Sequence, residues 1–365
     1  MTLKNRIQSV DFLRGLTIVV MILVNTPGDW GFVYKPLLHA KWNGLTIADF
    51  VFPFFLYIVG ISISFVYKAK TPDKTIYKKI AIRSLKLIGL GLFLNAFLPY
   101  IPFVESWEKM RIPGVLQRIG IVFFVTSVLY LNMSKKGLMI LTAGILVGYW
   151  IWLGYIPFPG GDTPTLERAA NNWANYLDLQ LLGTHMWKPD YDPEGIISTI
   201  PSIASALTGV FIGEVLTSSM LRKHLRLLGL GSLLLGIGYI WSLVFPLNKA
   251  LWSSSFVLVT SGYATLILAL IYYLTDYKEI SLGNMFTYVG SNAIVLYFSS
   301  MFISKTFYLI SVGEKYTIHS WLYETVFVYE GLSKEFSSLL YALVVIVFYV
   351  VVAYVLYRKR IFIKV

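Results

Sequence analysis

Hydrophobic residues occur in long runs along this chain, and short polar segments separate them. Runs of about 20 apolar residues are long enough to cross a bilayer as helices. The pattern predicts ten spans, at approximately 10–27, 45–67, 80–99, 113–131, 138–155, 195–216, 227–246, 253–274, 285–305 and 336–357. Residues 306–335 could hold a further short or interfacial helix. We therefore predict an all-α fold, a polytopic membrane bundle of ten to eleven helices that forms one transmembrane domain over residues 1–365.

Composition supports this prediction and narrows the classes of function. Hydrophobic residues make up 56% of the 365 residues and charged residues only 14%, whereas soluble domains carry about 25% charged residues. The net charge of +12 does not indicate a nucleic-acid partner, because the basic residues cluster in short loops between the apolar runs. The chain has no cysteine, which excludes disulfides, thiolate catalysis and cysteine-ligated metals.

The loops alternate in charge along the chain. One set, together with the two ends of the chain, carries roughly 17 of the 31 Lys and Arg residues in short segments, which is the pattern of cytoplasmic loops. The other set is less basic and includes the long segment 156–194. We therefore expect both termini in the cytoplasm and the 156–194 loop outside. The basic start lacks a small-residue cleavage site, so the first run is expected to be a retained span.

Polar residues cluster where the second predicted span begins. The segment "LLHAKWNGLTIADFVFP" places His39, Trp42 and Asn43 just before this span and Asp49 inside it. Asn25 ends the first span on the same side. One interpretation is a solvated histidine, a helix-terminating amide and a carboxylate that reaches towards water. The other is a site in which Asp49 orients His39 or holds a cationic substrate, since acids at membrane depth usually have a partner.

Three further polar sets are candidates for function. Asp11 and Arg14 are spaced i, i+3 at the cytoplasmic start of the first span, as an ion pair or as part of a ligand site. Arg118 follows Arg111 by seven residues and lies at bilayer depth, where an arginine costs about 2.5–3.5 kcal/mol on insertion scales. A pocket or an acidic partner is therefore expected for it. Glu194, in "YDPEG", opens the sixth span, either as an ordinary helix start or as a binding residue.

Several longer fragments form a recognisable combination. They are "SVDFLRGLTIVVMILVN", "HAKWNGLTIADFVFPFFLYIVGISI", "RIPGVLQRIGIVFF", "DPEGIISTIPSI" and "LWSSSFVLVTSGYA", in this order. Together they resemble the transmembrane acyltransferase family that contains heparan-α-glucosaminide N-acetyltransferase and its bacterial relatives, from about residue 8 to about residue 300. The resemblance implies a protein of the bacterial cytoplasmic membrane. It would transfer the acetyl group of cytoplasmic acetyl-CoA to the amine of a glucosamine on the far side, without a metal; a homodimer is left open.

The resemblance also implies roles for three residues. The family's essential histidine lies in the motif matched by "HAKWNG" and corresponds to His39, the asparagine that ends the first span corresponds to Asn25, and the aspartate of the following motif corresponds to Asp49. His39 would take the proton of the amine as a base, or would itself attack the thioester and carry the acetyl group. Asn25 would donate a hydrogen bond to the developing oxyanion.

The remaining candidates concern binding. Arg14 and Arg118 are predicted to neutralise the phosphates of acetyl-CoA, because a guanidinium contacts phosphate in a bidentate way. Trp42, Asn43 and Glu194 are predicted to contact the acceptor sugar. Bacterial relatives have also been labelled as amino-sugar transporters, so a transporter of amino sugars or related small molecules is the alternative function.

Overall fold

A computed structural model describes residues 7–363, in which α-helices form nearly all of the regular structure. The helices are α1 Gln8–Asn25, α2 Ile47–Tyr67, α3 Lys74–Ala96, α4 Val115–Asn132, α5 Lys135–Tyr155, α6 Trp173–Leu182, α7 Thr199–Leu216, α8 Lys223–Ser242, α9 Ser254–Tyr272, α10 Met285–Ser291, α11 Ala293–Leu309, α12 Ile318–Val326 and α13 Lys334–Arg358. A π-helical turn, Tyr273–Tyr277, follows α9. The strands β1 Ser311–Val312 and β2 Tyr316–Thr317 pair as a small antiparallel hairpin.

The predicted fold class, an all-α polytopic membrane protein, is confirmed. Among the described residues, eight single helices are long and apolar enough to cross a membrane, and the α10–α11 pair gives a ninth candidate. The predicted number of spans, ten to eleven, is therefore higher than this criterion gives. The third predicted span coincides with α3, but basic residues at 74, 78, 79, 83 and 86 make its first half polar. The short helix expected between residues 306 and 335 is α12. The ends of the chain, residues 1–6 and 364–365, contribute basic residues to the predicted topology and lie outside the described residues.

The ninth predicted span is broken, whereas the apolar pattern indicated one helix over 285–305. Helices α10 and α11 meet at an angle of 83°. Asn292 lies at the break, with φ −127° and ψ 32°. Its Nδ2 donates to the carbonyl of Ile361 at 3.0 Å, and its Oδ1 accepts from the backbone N–H of Ile363 at 3.0 Å. These hydrogen bonds to the segment after α13 stabilise the bend, so it depends on residues far away in the sequence.

Helix α2 lies at the centre of the bundle, where it packs against α7, α4, α1 and α9. Its contact with α7 is a backbone contact. A methyl group at Gly60 would overlap the carbonyl oxygen of Ala206, and one at Gly209 would overlap that of Tyr57. Neither helix can move or rotate without losing this close packing. The packing therefore holds both ends of α2, where the two sites described below lie, in fixed positions.

The 156–194 segment has an ordered structure of its own. It contains α6, whose first turn is capped by Asn172: the side-chain oxygen accepts from the N–H groups of Ala174 at 2.9 Å and Asn175 at 3.3 Å. The ring of Trp173 packs against Phe158, with ring centroids 5.3 Å apart. The segment therefore has caps and packed aromatic rings of its own.

Candidate active site

The predicted His39–Asp49 cluster forms at the start of α2. Asp49 is the third residue of α2 and only 1% exposed. Its Oδ2 accepts hydrogen bonds from the backbone N–H of Ala40 at 3.1 Å, and from the N–H and hydroxyl of Thr46 at 3.0 Å each. Its Oδ1 lies 2.8 Å from Nδ1 of His39. One carboxylate thus caps the helix with one oxygen and orients the imidazole with the other.

The imidazole of His39 is accessible, since 47% of its side-chain surface is exposed. With Asp49 ionised, Nδ1 must carry the proton that it donates to Oδ1, and Nε2 then presents a lone pair. A neutral imidazole held in this tautomer is suited to take a proton from an amine or to attack a carbonyl carbon.

Lys249 is a member of this site that the sequence analysis missed. Its Nζ lies 3.2 Å from Nδ1 and 3.3 Å from Nε2 of His39, and 3.8 Å from Oδ1 of Asp49. It belongs to the loop between α8 and α9, 210 residues after His39. No local pattern in "FPLNKALWS" distinguishes it from an ordinary loop lysine, so only the folded structure reveals it.

Asn25 is the last residue of α1 and is half-buried. No hydrogen bond of its side chain occurs among residues 7–363, so its role as an oxyanion donor stays a prediction.

Trp42 and Asn43 form hydrogen bonds within the protein. The indole N–H of Trp42 donates to the carbonyl of Leu166 at 2.9 Å, and the Asn43 amide donates to Glu167 at 3.0 Å. Both residues fasten the 156–194 segment, and their predicted contacts with a sugar stay predictions.

Glu194 belongs to an ion cluster on the same side of the bundle. The Arg111 guanidinium contacts both Asp192 and Glu194 and lies over the ring of Trp187, 5.3 Å from its centroid. Burial lowers the pKa of Arg111, but the carboxylates of Glu194 and Asp192 outweigh burial, and the pKa is raised. The carboxylate of Glu194 therefore has a basic partner within the protein.

Arg118 is the buried arginine that the sequence indicated, and it is 1% exposed. Its Nη2 donates to the carbonyl of Gly195 at 2.9 Å and to the hydroxyl of Ser198. Its guanidinium lies 5.1 Å from the ring of Trp252 and 5.8 Å from that of Phe52. The expected pocket thus consists of a helix start and two aromatic rings. Arg118 does not line the basic cavity described next, so its contact with phosphate stays a prediction.

A large basic cavity opens at the other end of the bundle. Its volume is about 680 Å³, and the basic residues on its wall are Arg14, Lys79, Arg83 and Lys86. Arg83 lies over the ring of Phe123, 4.8 Å from its centroid, and its Nε is buried without a hydrogen-bond partner. The sequence predicted Lys79 in a loop and Arg83 and Lys86 inside the third span, and it did not indicate that these residues share a cavity with Arg14.

The predicted ion pair of α1 is confirmed within this cavity wall. Arg14 Nη1 lies 2.7 Å from Oδ1 of Asp11, and Arg14 Nη2 donates to the hydroxyl of Ser62 at 3.0 Å. These contacts aim the guanidinium along α2. The pairing does not exclude a ligand, because 24% of the Arg14 side chain is exposed.

The cavity extends along α2 towards His39. Its wall includes α2 residues from Phe55 to Tyr67, which is about 18 Å at the helical rise of 1.5 Å per residue. Phe55 is six residues from Asp49, or about 9 Å along the same axis. The remaining lining is largely apolar. An elongated ligand with an anionic end and an apolar arm fits such a shape.

The fold and the two ends of α2 define a class of protein: a polytopic helical membrane protein with a histidine–aspartate pair at one end and a basic cavity at the other. The family model "Heparan-alpha-glucosaminide N-acetyltransferase, catalytic" matches residues 6–245, and the chain belongs to this family. It is 32% identical to human heparan-alpha-glucosaminide N-acetyltransferase, with 100% of this chain and 60% of the human protein covered. It is also 32% identical to the mouse protein, with 99% and 61% covered. The chain spans about 60% of the length of these relatives.

Proposed function

We propose that this protein transfers the acetyl group of acetyl-CoA, taken from the cytoplasm, to the amine of a glucosamine-type sugar on the other side of the bacterial cytoplasmic membrane. The observation that carries the proposal is the arrangement along α2. A basic cavity with an apolar wall begins at one end and reaches Phe55, whose position on α2 is about 9 Å of helical rise from Asp49 of the histidine–aspartate pair. The names of the human and mouse relatives support the choice of reaction and acceptor class.

The cavity would hold the donor. The phosphates of acetyl-CoA are anionic, and Arg14, Arg83, Lys79 and Lys86 supply the charges that neutralise them. The apolar wall formed by α2 and α4 suits the less polar arm that carries the thioester. The assignment adds residues of α3 to the predicted Arg14, whereas the predicted Arg118 is not among the residues that line the cavity.

His39 would perform the chemistry. In a direct route, Nε2 takes a proton from the acceptor amine, whose nitrogen attacks the thioester carbonyl carbon. The C–N bond forms, the C–S bond breaks, and the leaving thiolate takes the proton from the imidazolium. In the carrier route, Nε2 first attacks the thioester carbonyl carbon, the C–S bond breaks and CoA leaves as a thiolate. The amine then attacks acetyl-histidine, the bond between the acetyl carbon and Nε2 breaks, and the thiolate takes the proton that the amine loses. Asn25 would donate its amide hydrogen to the oxyanion in either route, and Trp42, Asn43 and Glu194 border the approach of the sugar.

The experiment uses purified protein in detergent with acetyl-CoA and glucosamine. Free CoA is measured with a thiol reagent, and because the chain has no cysteine the protein itself gives no signal. His39→Ala should lower CoA release by about 10²–10⁴-fold. His185→Ala is the matched control, because His185 bonds to the carbonyl of Met110 away from the pair. Equal activity of the His39 variant and wild type would overturn the assignment.

Two further readouts separate the alternatives. Without acceptor, the carrier route predicts one CoA released per protein and an acetyl group on the His39 peptide, whereas the direct route predicts neither. A transporter would instead load labelled glucosamine into proteoliposomes without acetyl-CoA and would release no thiol.

A further inference from the structure

The loop that carries Lys249 is fastened to the loop that carries His39. The N–H of Gly44 donates to the carbonyl of Leu247 at 2.8 Å. The Asn248 side chain donates to the Asn43 side-chain oxygen at 3.1 Å. Because Asn248 also accepts from a backbone N–H of its own loop, the residue before Lys249 is fixed on both sides. The hydrogen bonds between the two loops therefore hold Lys249 beside His39.

Nζ of Lys249 is almost equidistant from the two nitrogens of the imidazole, so it lies beside the ring and not along the Nε2 lone pair. Nδ1 of His39 donates to Asp49, so of the two ring nitrogens near Nζ only Nε2 has a lone pair. The lysine side chain is 17% exposed and the aspartate 1%. The Nε2 lone pair therefore stays open to an incoming amine, and the ammonium of Lys249 has Oδ1 of Asp49 as its anionic partner, 3.8 Å from Nζ.

Two opposite charges therefore act on the same imidazole. Asp49, from α2, favours the protonated ring, and the Lys249 ammonium, from the α8–α9 loop, disfavours it. Two further charges act on Lys249: the carboxylate of Glu194 raises its pKa, and the guanidinium of Arg118 lowers it. The pKa of Lys249 is lowered by burial, and the charges of Asp49 and Glu194 oppose that effect only in part.

We propose that Lys249 is a positioning residue whose ammonium counteracts the charge of Asp49 at the imidazole, so that Asp49 orients His39 while Nε2 stays available. Asp49 alone would orient the ring but would also favour its protonated form, which can neither accept a proton nor attack a thioester. With Lys249 present, Asp49 can orient the ring without favouring its protonated form. The functional part of this inference rests on the proposed acetyl transfer, whereas the charge coupling of the three residues does not.

The test replaces Lys249 by methionine, which keeps the length of the side chain, and by arginine, which keeps the charge. Diethyl pyrocarbonate reacts with neutral imidazole, so the extent of His39 modification against pH reports the neutral form without any substrate. The modified peptides are quantified by mass spectrometry, and His185 in the same digest is the internal control. In Lys249→Met the midpoint for His39 should move up by about one pH unit, since an adjacent like charge is removed from a half-exposed group. In Lys249→Arg it should stay at the wild-type position.

A purely structural role for Lys249 would lower folding or activity without moving this midpoint. An unchanged midpoint in a folded Lys249→Met protein, judged by a monodisperse elution profile, overturns the proposal. If methionine prevents folding, Lys249→Gln provides the same uncharged comparison. The acidic limb of turnover should move with the modification midpoint. If the wild type transfers no acetyl group but the midpoint still moves, the charge coupling holds and the proposed function fails.

Discussion

Asp49→Asn should abolish most turnover while leaving the protein folded, and the reason lies in the hydrogen bonds of one carboxylate. Oδ2 accepts from three donors, supplied by Ala40 and Thr46. In the variant, the amide oxygen must take this position, because the amide NH₂ would face three donors. The NH₂ group then faces Nδ1 of His39. Nδ1 can only accept from it, so the imidazole changes tautomer and Nε2 becomes protonated.

The size of the effect follows from that change. With Nε2 protonated, the ring can neither take a proton from the amine nor attack the thioester, so the base and the carrier routes are lost together. The corresponding aspartate-to-asparagine change in the serine-protease triad lowers kcat about 10⁴-fold through the same loss of the correct tautomer. Because His39 is half-exposed and can reorient, we expect a decrease of about 10³-fold or more for Asp49→Asn. The helix cap is kept, so the cost in stability should be about 1 kcal/mol.

The assay combines CoA release at saturating substrates, acetyl-CoA binding and thermal unfolding in detergent. Thr46→Val is the matched control. It removes one hydrogen bond to Oδ2 of Asp49 but leaves the contact with His39, so it should destabilise by about 0.5–2 kcal/mol and keep turnover within a few-fold. If Asp49→Asn retains more than a tenth of wild-type turnover, the tautomer argument is refuted. If Thr46→Val loses as much turnover as Asp49→Asn, the carboxylate acts through the helix cap.

Four other predictions follow from the same structure. Asn25→Ala should lower kcat by about 10²-fold with unchanged acetyl-CoA binding, since an oxyanion donor acts in the transition state; equal losses in binding and turnover would contradict this. Arg83→Gln should weaken acetyl-CoA binding about tenfold, measured calorimetrically, and Arg83→Lys and a phosphate-free acetyl-pantetheine donor should both reduce the defect. Burial raises the pKa of Asp178 to about 6, above its value of 3.8 in the unfolded chain, so the folded protein retains a proton between these values and its stability should fall as the pH rises from about 4 to 6. Asp178→Asn should flatten this slope in thermal unfolding. Finally, Ala170→Cys should react with an impermeant maleimide from outside intact cells and Thr71→Cys only after permeabilisation; the reverse pattern would invert the predicted topology.

The fold class was predictable because a bilayer imposes a simple rule, namely apolar runs that are long enough to span it. The bend at Asn292 was not predicted, although Gly290 and Ser291 directly precede it, because longer apolar runs on both sides indicated one helix. What breaks the helix is a pair of hydrogen bonds to Ile361 and Ile363, which exist only after the chain has folded. At α3 the helix begins at Lys74, six residues before the predicted span, because Lys79 and Arg83 line the basic cavity and the first half of the helix is too polar to count as a span.

The candidate site was predictable where its residues are close in sequence. His39 and Asp49 are ten residues apart, and a carboxylate inside an apolar run indicates a partner. Lys249 was not predictable, because it enters the site through loop docking between distant segments. Trp42 and Asn43 carry polar groups suited to a sugar, but the structure uses them to hold Leu166 and Glu167. Residue type and position in the sequence therefore indicate where a polar site forms, but they do not indicate which hydrogen-bond partner each side chain has.

The charges around His39 and Arg111 bear on the choice between an enzyme and a transporter. Among the described residues there, Asp49 has Lys249 within 3.8 Å, and Asp192 and Glu194 share Arg111. None of these three carboxylates is free to hold an ammonium ion, which a carrier of cationic amino sugars requires of its binding site. A nucleophilic amine, by contrast, must arrive without its extra proton. A site with paired carboxylates and an accessible imidazole suits such an amine, and this supports acetyl transfer over transport.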